Sequence, residues 1–129
     1  MRLLAVLVLS LSATACASLP PQERTTDSLC AELRMLRKFG TPHPEVMEEL
    51  RRRLFARTTP GFSAETDWKT VESGSIHLGT SEAAMVCAWG LPKRSNRSVG
   101  SWGVHTQHVY GDFGPYIYVE NGLVTSWSD

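Results

Sequence analysis

Tyr116-Ile117-Tyr118-Val119-Glu120-Asn121-Gly122-Leu123-Val124-Thr125-Ser126-Trp127 is two β-rich runs around Asn-Gly, the strongest short-range signal for a tight hairpin. A two-residue loop pairs Glu120 with Leu123. Counting back, Val119 meets Val124, Tyr118 meets Thr125, Ile117 meets Ser126 and Tyr116 meets Trp127. Ile117, Val119 and Val124 then share one face, and Tyr116, Tyr118, Leu123 and Trp127 share the other. Antiparallel sheets commonly leave one face to solvent, and an aromatic wet face marks an interaction surface. The expectation is that this face binds a protein partner or packs on an N-terminal helical hairpin.

Upstream, Val104, Thr106, His108 and Tyr110 alternate with His105, Gln107 and Val109, which is strand spacing. Before them, Gly79-Thr80-Ser81 leads into Met85, Ala88 and Trp89, and Gly90 with Pro92 stops the run. That is a short helix with a hydroxyl cap and a hard end. Asn96-Arg97-Ser98 and Gly103-Val104-His105 read as strand starts. Their residues suit turn chemistry. They also suit a polar corner of Asn96, Arg97 and His105, in which Arg97 takes a carboxylate or phosphate. The fold class is α+β, with helices on one face of a small antiparallel sheet.

A helical hairpin precedes this unit, over residues 27–58. Leu29, Leu33 and Leu36 share one helical face, and Gly40 is a left-handed cap ending that helix. Thr41-Pro42-His43-Pro44-Glu45 starts a second helix, where Val46, Leu50 and Leu54 recur every four residues. Thr59-Pro60-Gly61 breaks it. Ser63 caps a third helix carrying Trp68 and Val71, which Gly74 stops. The α+β module therefore spans residues 62–129.

The N-terminus reads as a targeting segment. Met1-Arg2 gives a positive start, Leu3 to Leu11 is apolar apart from Ser10, and Ser12-Ala13-Thr14-Ala15 presents small residues before Cys16. That run is too short for a permanent bilayer span, which needs about 20 apolar residues. Residues 1–15 are expected to be removed as a signal peptide. Cys16 is placed like the lipid-modified cysteine of a bacterial lipobox, and the alternative is ordinary cleavage near Cys16 or Ala17 without lipid. Acyl chains contribute about 0.8 kcal/mol per buried methylene, so a multiply acylated Cys16 would anchor stably. Residues 16–26 read as a flexible tether. Of the three cysteines, Cys30 and Cys87 then remain. An even remainder in an oxidising compartment suggests a disulfide between the first helix and the helix after Ser81. Two buried, separate thiols are the alternative.

With 13 basic and 13 acidic residues, the chain lacks the net positive charge that nucleic-acid binding wants. The Arg-rich stretch from Arg34 to Arg57 reads as a solvated helical face or as a contact for anionic lipid headgroups or an acidic partner. His105 and His108 point to opposite faces of a strand and make a poor chelating pair. No zinc-protease, nucleophile-elbow or phosphate-loop motif is present, and nothing in the spacing brings a serine, histidine and acid together. No enzyme activity, cofactor or metal is expected.

Gly79-Thr80-Ser81, Ala88-Trp89-Gly90-x-Pro92, Asn96-Arg97-Ser98, Gly103-Val104-His105-x-Gln107-x-Val109-Tyr110 and Tyr116-x-Tyr118-x-Glu120-Asn121-Gly122 together resemble the SmpA/OmlA (BamE-like) family of outer-membrane lipoproteins. The resemblance covers roughly Ile76 to Trp127 and leaves the helical hairpin outside. It implies two helices packed on a sheet of about three strands, and a scaffolding role without catalysis. Ala17 after the cysteine resembles the outer-membrane-directed pattern. The expected protein is a lipid-anchored accessory of envelope or outer-membrane protein assembly. It would face the periplasm, held to the membrane by Cys16 and bound to a protein partner. The alternative is a periplasmic protein inhibitor or small-ligand binding module.

Overall fold

Hydroxyl caps begin three of the four helices. In a computed structural model, which describes residues 19–56 and 61–129, Thr25, Ser63 and Ser81 accept the N–H of Ser28, Thr66 and Ala84, each at 3.2 Å. Each bond satisfies one amide that the first helical turn leaves unpaired. The helices are α1 (Thr26–Phe39), α2 (Pro44–Phe55), α3 (Ala64–Ser73) and α4 (Glu82–Trp89). A 3-10 turn, Pro21–Glu23, precedes them. Gly74 ends α3 at φ 75°, in the left-handed region that glycine adopts without penalty. Gly40 does not do the same for α1. Its φ is −170°, an extended conformation, because the chain leaves α1 directly into the Pro42 and Pro44 segment.

Four strands follow: β1 (Arg94–Gly100), β2 (Gly103–Val109), β3 (Tyr116–Glu120) and β4 (Leu123–Ser128). They form one antiparallel sheet in the order β1-β2-β3-β4. The sheet therefore has one strand more than expected. Asn96-Arg97-Ser98 lies in the middle of β1, not at a turn, and pairs with Gln107, Thr106 and His105. Every residue from Arg94 to Val99 is exposed, so β1 carries no apolar alternation that could mark it as a strand.

The β3–β4 hairpin turns at Asn121 (φ 50°) and Gly122 (φ 85°), as Asn-Gly requires. Glu120 pairs with Leu123 and Val119 with Val124. Beyond that point the counted register fails. Tyr118 meets Ser126, Ile117 meets Trp127 and Tyr116 meets Ser128. Thr125 is the extra residue of a β-bulge, its hydroxyl donating to Tyr118 O at 3.4 Å. One inserted residue reverses the facing of everything after it, so Trp127 joins the face of Ile117.

The helices occupy only one face of the sheet. Met85 packs with Ile117, Val119 and Val124, joined by Ile76, Val86, Trp89 and Tyr110. On the other side of α4, Ala84 and Cys87 pack with Leu29, Cys30, Leu33, Val46, Leu50, Leu54 and Val71. Helix α4 is thus apolar on both sides, as a helix buried between layers must be. The layers run from α1 and α2, through α4 with α3 beside it, to the sheet. The N-terminal helices pack on the apolar back of α4 and leave the sheet's aromatic face uncovered.

Residues Pro21 to Thr26 are not loose tether. The Arg53 guanidinium donates to Pro21 O at 3.2 Å, Arg24 O at 2.8 Å and Thr26 Oγ1 at 2.9 Å. Arg53 in turn binds Glu49 Oε1 at 2.7 Å, and Arg52 binds the same carboxylate at 2.6 and 2.9 Å. These hydrogen bonds hold the buried Glu49 carboxyl down at about 2. Cys16 and the expected signal peptide lie outside the described residues, as do Arg57 to Pro60.

Candidate sheet-face site

Strand alternation puts Asn96, Ser98, His105, Gln107, Tyr118 and Glu120 on the face opposite the helices. They line a shallow depression of about 460 Å³. Asn96 Nδ2 donates to Gln107 Oε1 at 2.9 Å, and Gln107 Nε2 donates to the Tyr118 hydroxyl at 3.3 Å. His105 Nδ1 lies 3.5 Å from Glu120 Oε1. The result is a polar ladder across three strands with one exposed phenol ring at its edge. Such a surface can exchange hydrogen bonds and offer an aromatic contact.

The expected binding residues divide. Asn96, His105 and Tyr118 come together on this face. Arg97 borders the same depression, although its pairing with the buried Thr106 turns its side chain to the helix side. Tyr116 shares the face but is half-buried at its far end, opposite Val109 and Ser128. Leu123 is half-buried near the turn, where a Cβ at Gly61 would sit 3.4 Å from its Cδ1. Trp127, 43% exposed, belongs to the opposite face. Gln107, which links the ladder, was not singled out by its sequence. Its signal was its alternation with His105 and Val109.

On the helix side the structure brings together three residues that the sequence did not. Ser95 Oγ lies 2.8 Å from His108 Nδ1, and Glu82 Oε1 lies 2.7 Å from His108 Nε2. The composition is that of a nucleophile, base and acid. The geometry is that of a strut. Glu82 sits off the direction in which the ring N–H could donate, so Nε2 makes no aligned hydrogen bond. His108, 4% exposed, ties the start of α4 to β1 and β2.

Cys30 and Cys87 form a disulfide with their Cα atoms 4.9 Å apart, joining α1 to α4. Beside it, Arg34 donates to Val86 O at 3.2 Å and Cys87 O at 2.8 Å. Arg37 donates to Ala88 O at 3.2 Å and also to Val71 O. Two cations from α1 therefore satisfy the last carbonyls of α3 and α4, where helix dipoles favour positive charge. Burial and the neighbouring Arg34 charge lower the pKa of Arg37. A cavity of about 540 Å³ opens alongside, lined by Cys30, Arg34, Glu82, Val86, Cys87 and Leu91 among others.

Among the described residues no group of His, Cys, Asp and Glu could hold a metal ion. No helix among them is long and apolar enough to cross a membrane. Comparison with protein-family models, curated proteins and solved structures finds no match to this chain.

Proposed function

We propose that this chain is a lipid-anchored envelope protein of the SmpA/OmlA-like kind, held at the periplasmic side of the outer membrane by Cys16. Its sheet face binds a protein partner, and it works as a scaffold without catalysis. The observation that carries this reading is the open face: all helical packing lies on one side of the sheet, leaving Asn96, His105, Gln107 and Tyr118 presented on the other. The Cys30–Cys87 disulfide supports an oxidising compartment. The small residues before Cys16 support lipidation. The binding surface is Tyr118 with its polar ladder. Tyr116 and Leu123 stand at the margins, and Trp127 stands outside it.

Two measurements test it. Labelled palmitate should enter the wild-type protein and not Cys16→Ala, and the variant should leave the membrane fraction. A photo-crosslinking residue at position 118 should capture a discrete envelope protein, while one at the exposed Arg51 should not. Absence of label on Cys16 removes the anchor from the proposal. Equal capture from both positions removes the binding face.

The second reading is a periplasmic inhibitor or small-ligand binding module. The 540 Å³ cavity between α1 and α4 favours it, with Arg34 in its wall and a volume in the range of small-molecule sites. Recovery of a small molecule from native protein, lost in Arg34→Ala, would favour this reading over the first.

A further inference from the structure

The sheet has two edges, and they are treated differently. On the β4 side, the segment before α4 pairs with the strand. Gly79 N–H donates to Val124 O and Val124 N–H to Thr80 O, both at 2.8 Å, and Ser81 bridges Leu123. That edge is partly closed. On the β1 side nothing among the described residues bonds to the outer backbone.

The direction of each β1 amide follows from bonds further in. Asn121 N–H donates to Val104 O, Val104 N–H to Asn121 Oδ1 and Tyr110 N–H to Pro115 O, so the even-numbered residues of β2 bond towards β3. The odd-numbered ones bond towards β1. His105, Gln107 and Val109 stand opposite Ser98, Asn96 and Arg94. Ser95, Arg97 and Val99 are left with their N–H and C=O pointing outward. This is a row of free donors and acceptors along a strand of seven residues with no proline and no bulge.

Edge strands are normally blunted by charge, proline, bulges or a covering element. Here only charge is used, and it has one sign. β1 holds Arg94 and Arg97 and no acid, and no ion pair among the described residues involves either arginine. Antiparallel pairing with a second copy would set guanidinium against guanidinium with nothing to neutralise them. An acidic strand would neutralise both. At the far end of β1, Val99 (65% exposed) lies on the helix side with Arg97, while the Trp102 ring (63% exposed) folds over Gly100 towards His105 on the other face.

We propose that the β1 edge is a strand-addition site that takes an extended, acidic segment of another protein. Backbone bonds to Ser95, Arg97 and Val99 fix the segment. Carboxylates meet Arg94 on one face and Arg97 on the other, and one apolar residue rests on Val99. The site is the backbone edge of β1, which borders the Tyr118 face, and it does not depend on lipidation at Cys16.

The test uses the full chain, a synthetic peptide of about ten residues in Thr-Thr-Glu-Glu repeats with a terminal Leu, which presents carboxylates on both faces, and the same peptide with Lys for Glu. Amide hydrogen exchange and NMR shifts report the contact. The Glu peptide should protect the amides of Ser95, Arg97 and Val99, and bind roughly tenfold more tightly than the Lys peptide. Its affinity should fall as salt rises. Arg94→Glu with Arg97→Glu should reverse the preference between the peptides. Arg97→Pro removes one outward N–H, which an edge strand tolerates, and should weaken both without unfolding the sheet. Equal binding of the two peptides overturns the proposal. So does protection outside β1, or no binding of the Glu peptide up to about 1 mM.

Discussion

The Asp67 carboxylate accepts the backbone N–H of Ser81 at 2.7 Å and the Ser81 hydroxyl on its other oxygen. The same hydroxyl oxygen accepts from Ala84 N–H and so caps α4. Asp67 is wholly buried, and it couples the middle of α3 to the start of α4. Nearby, Thr70 Oγ1 lies 2.7 Å from Thr80 Oγ1 and 3.0 Å from His77 Nδ1, so the linker between the helices is bonded from within.

Asp67→Ala strands the Ser81 amide and frees its hydroxyl in a buried place. The expected loss is about 3 kcal/mol, read as a lower urea midpoint. Asp67→Asn keeps one acceptor and should lose less. Equal losses from both would show that the charge, not the acceptors, matters.

Reducing Cys30–Cys87 releases a loop of long sequence separation, 57 residues. Chain entropy sets the expected loss at about 4 kcal/mol. The Cys30→Ser, Cys87→Ser double variant should unfold at a lower denaturant midpoint, and reductant should affect the wild type alone.

Glu49 titrates from 4.5 in the unfolded chain to about 2 in the folded one, so the unfolded chain binds its proton first as pH falls. The Arg52 and Arg53 bonds therefore contribute fully above about pH 5 and are lost progressively down towards pH 2. Thermal midpoints should drop across that window, and Glu49→Gln should flatten part of the drop.

Tyr110 moves the other way. Its hydroxyl donates to Gly90 O at 2.9 Å, and burial pushes it from 10.0 to about 12. Above pH 10 the unfolded chain gives up this proton more readily than the folded one, so the fold loses stability there. Ultraviolet titration of the three tyrosines should show one phenol ionising near pH 12. Tyr110→Phe should abolish that step alone.

The Ser95–His108–Glu82 contacts should behave as a strut. A fluorophosphonate probe should leave Ser95 unlabelled, and His108→Gln should lower stability by about 1 to 2 kcal/mol. Covalent labelling of Ser95 that disappears in His108→Gln would establish a nucleophile and remove the non-catalytic reading.

Much of this was legible in the sequence because it rests on local chemistry. Ser63, Ser81, Gly74 and Gly90 marked helix ends through caps and left-handed glycine. Asn121-Gly122 marked its turn. What failed was non-local. The Thr125 bulge leaves no mark in an alternating run, so the position of Trp127 came out reversed. β1 is polar apart from Val99 and exposed from Arg94 to Val99, and a strand with no buried face carries no period. Arg34 and Arg37 looked like part of a solvated face, yet their partners are carbonyls about fifty residues away. The meeting of Glu82, His108 and Ser95 needs the sheet register and the α4 position together, and no spacing along the chain encodes both.

The Cys30–Cys87 bond also encloses α2, α3 and the connection between them. A protease cutting once anywhere inside that ring would produce two polypeptides that still travel as one molecule until a reductant parts them. Nicked protein would keep its size on a non-reducing gel, and the joined halves would keep both surfaces of α4 within reach of their partners. For a chain closed by such a ring, a single scission need not end its working life.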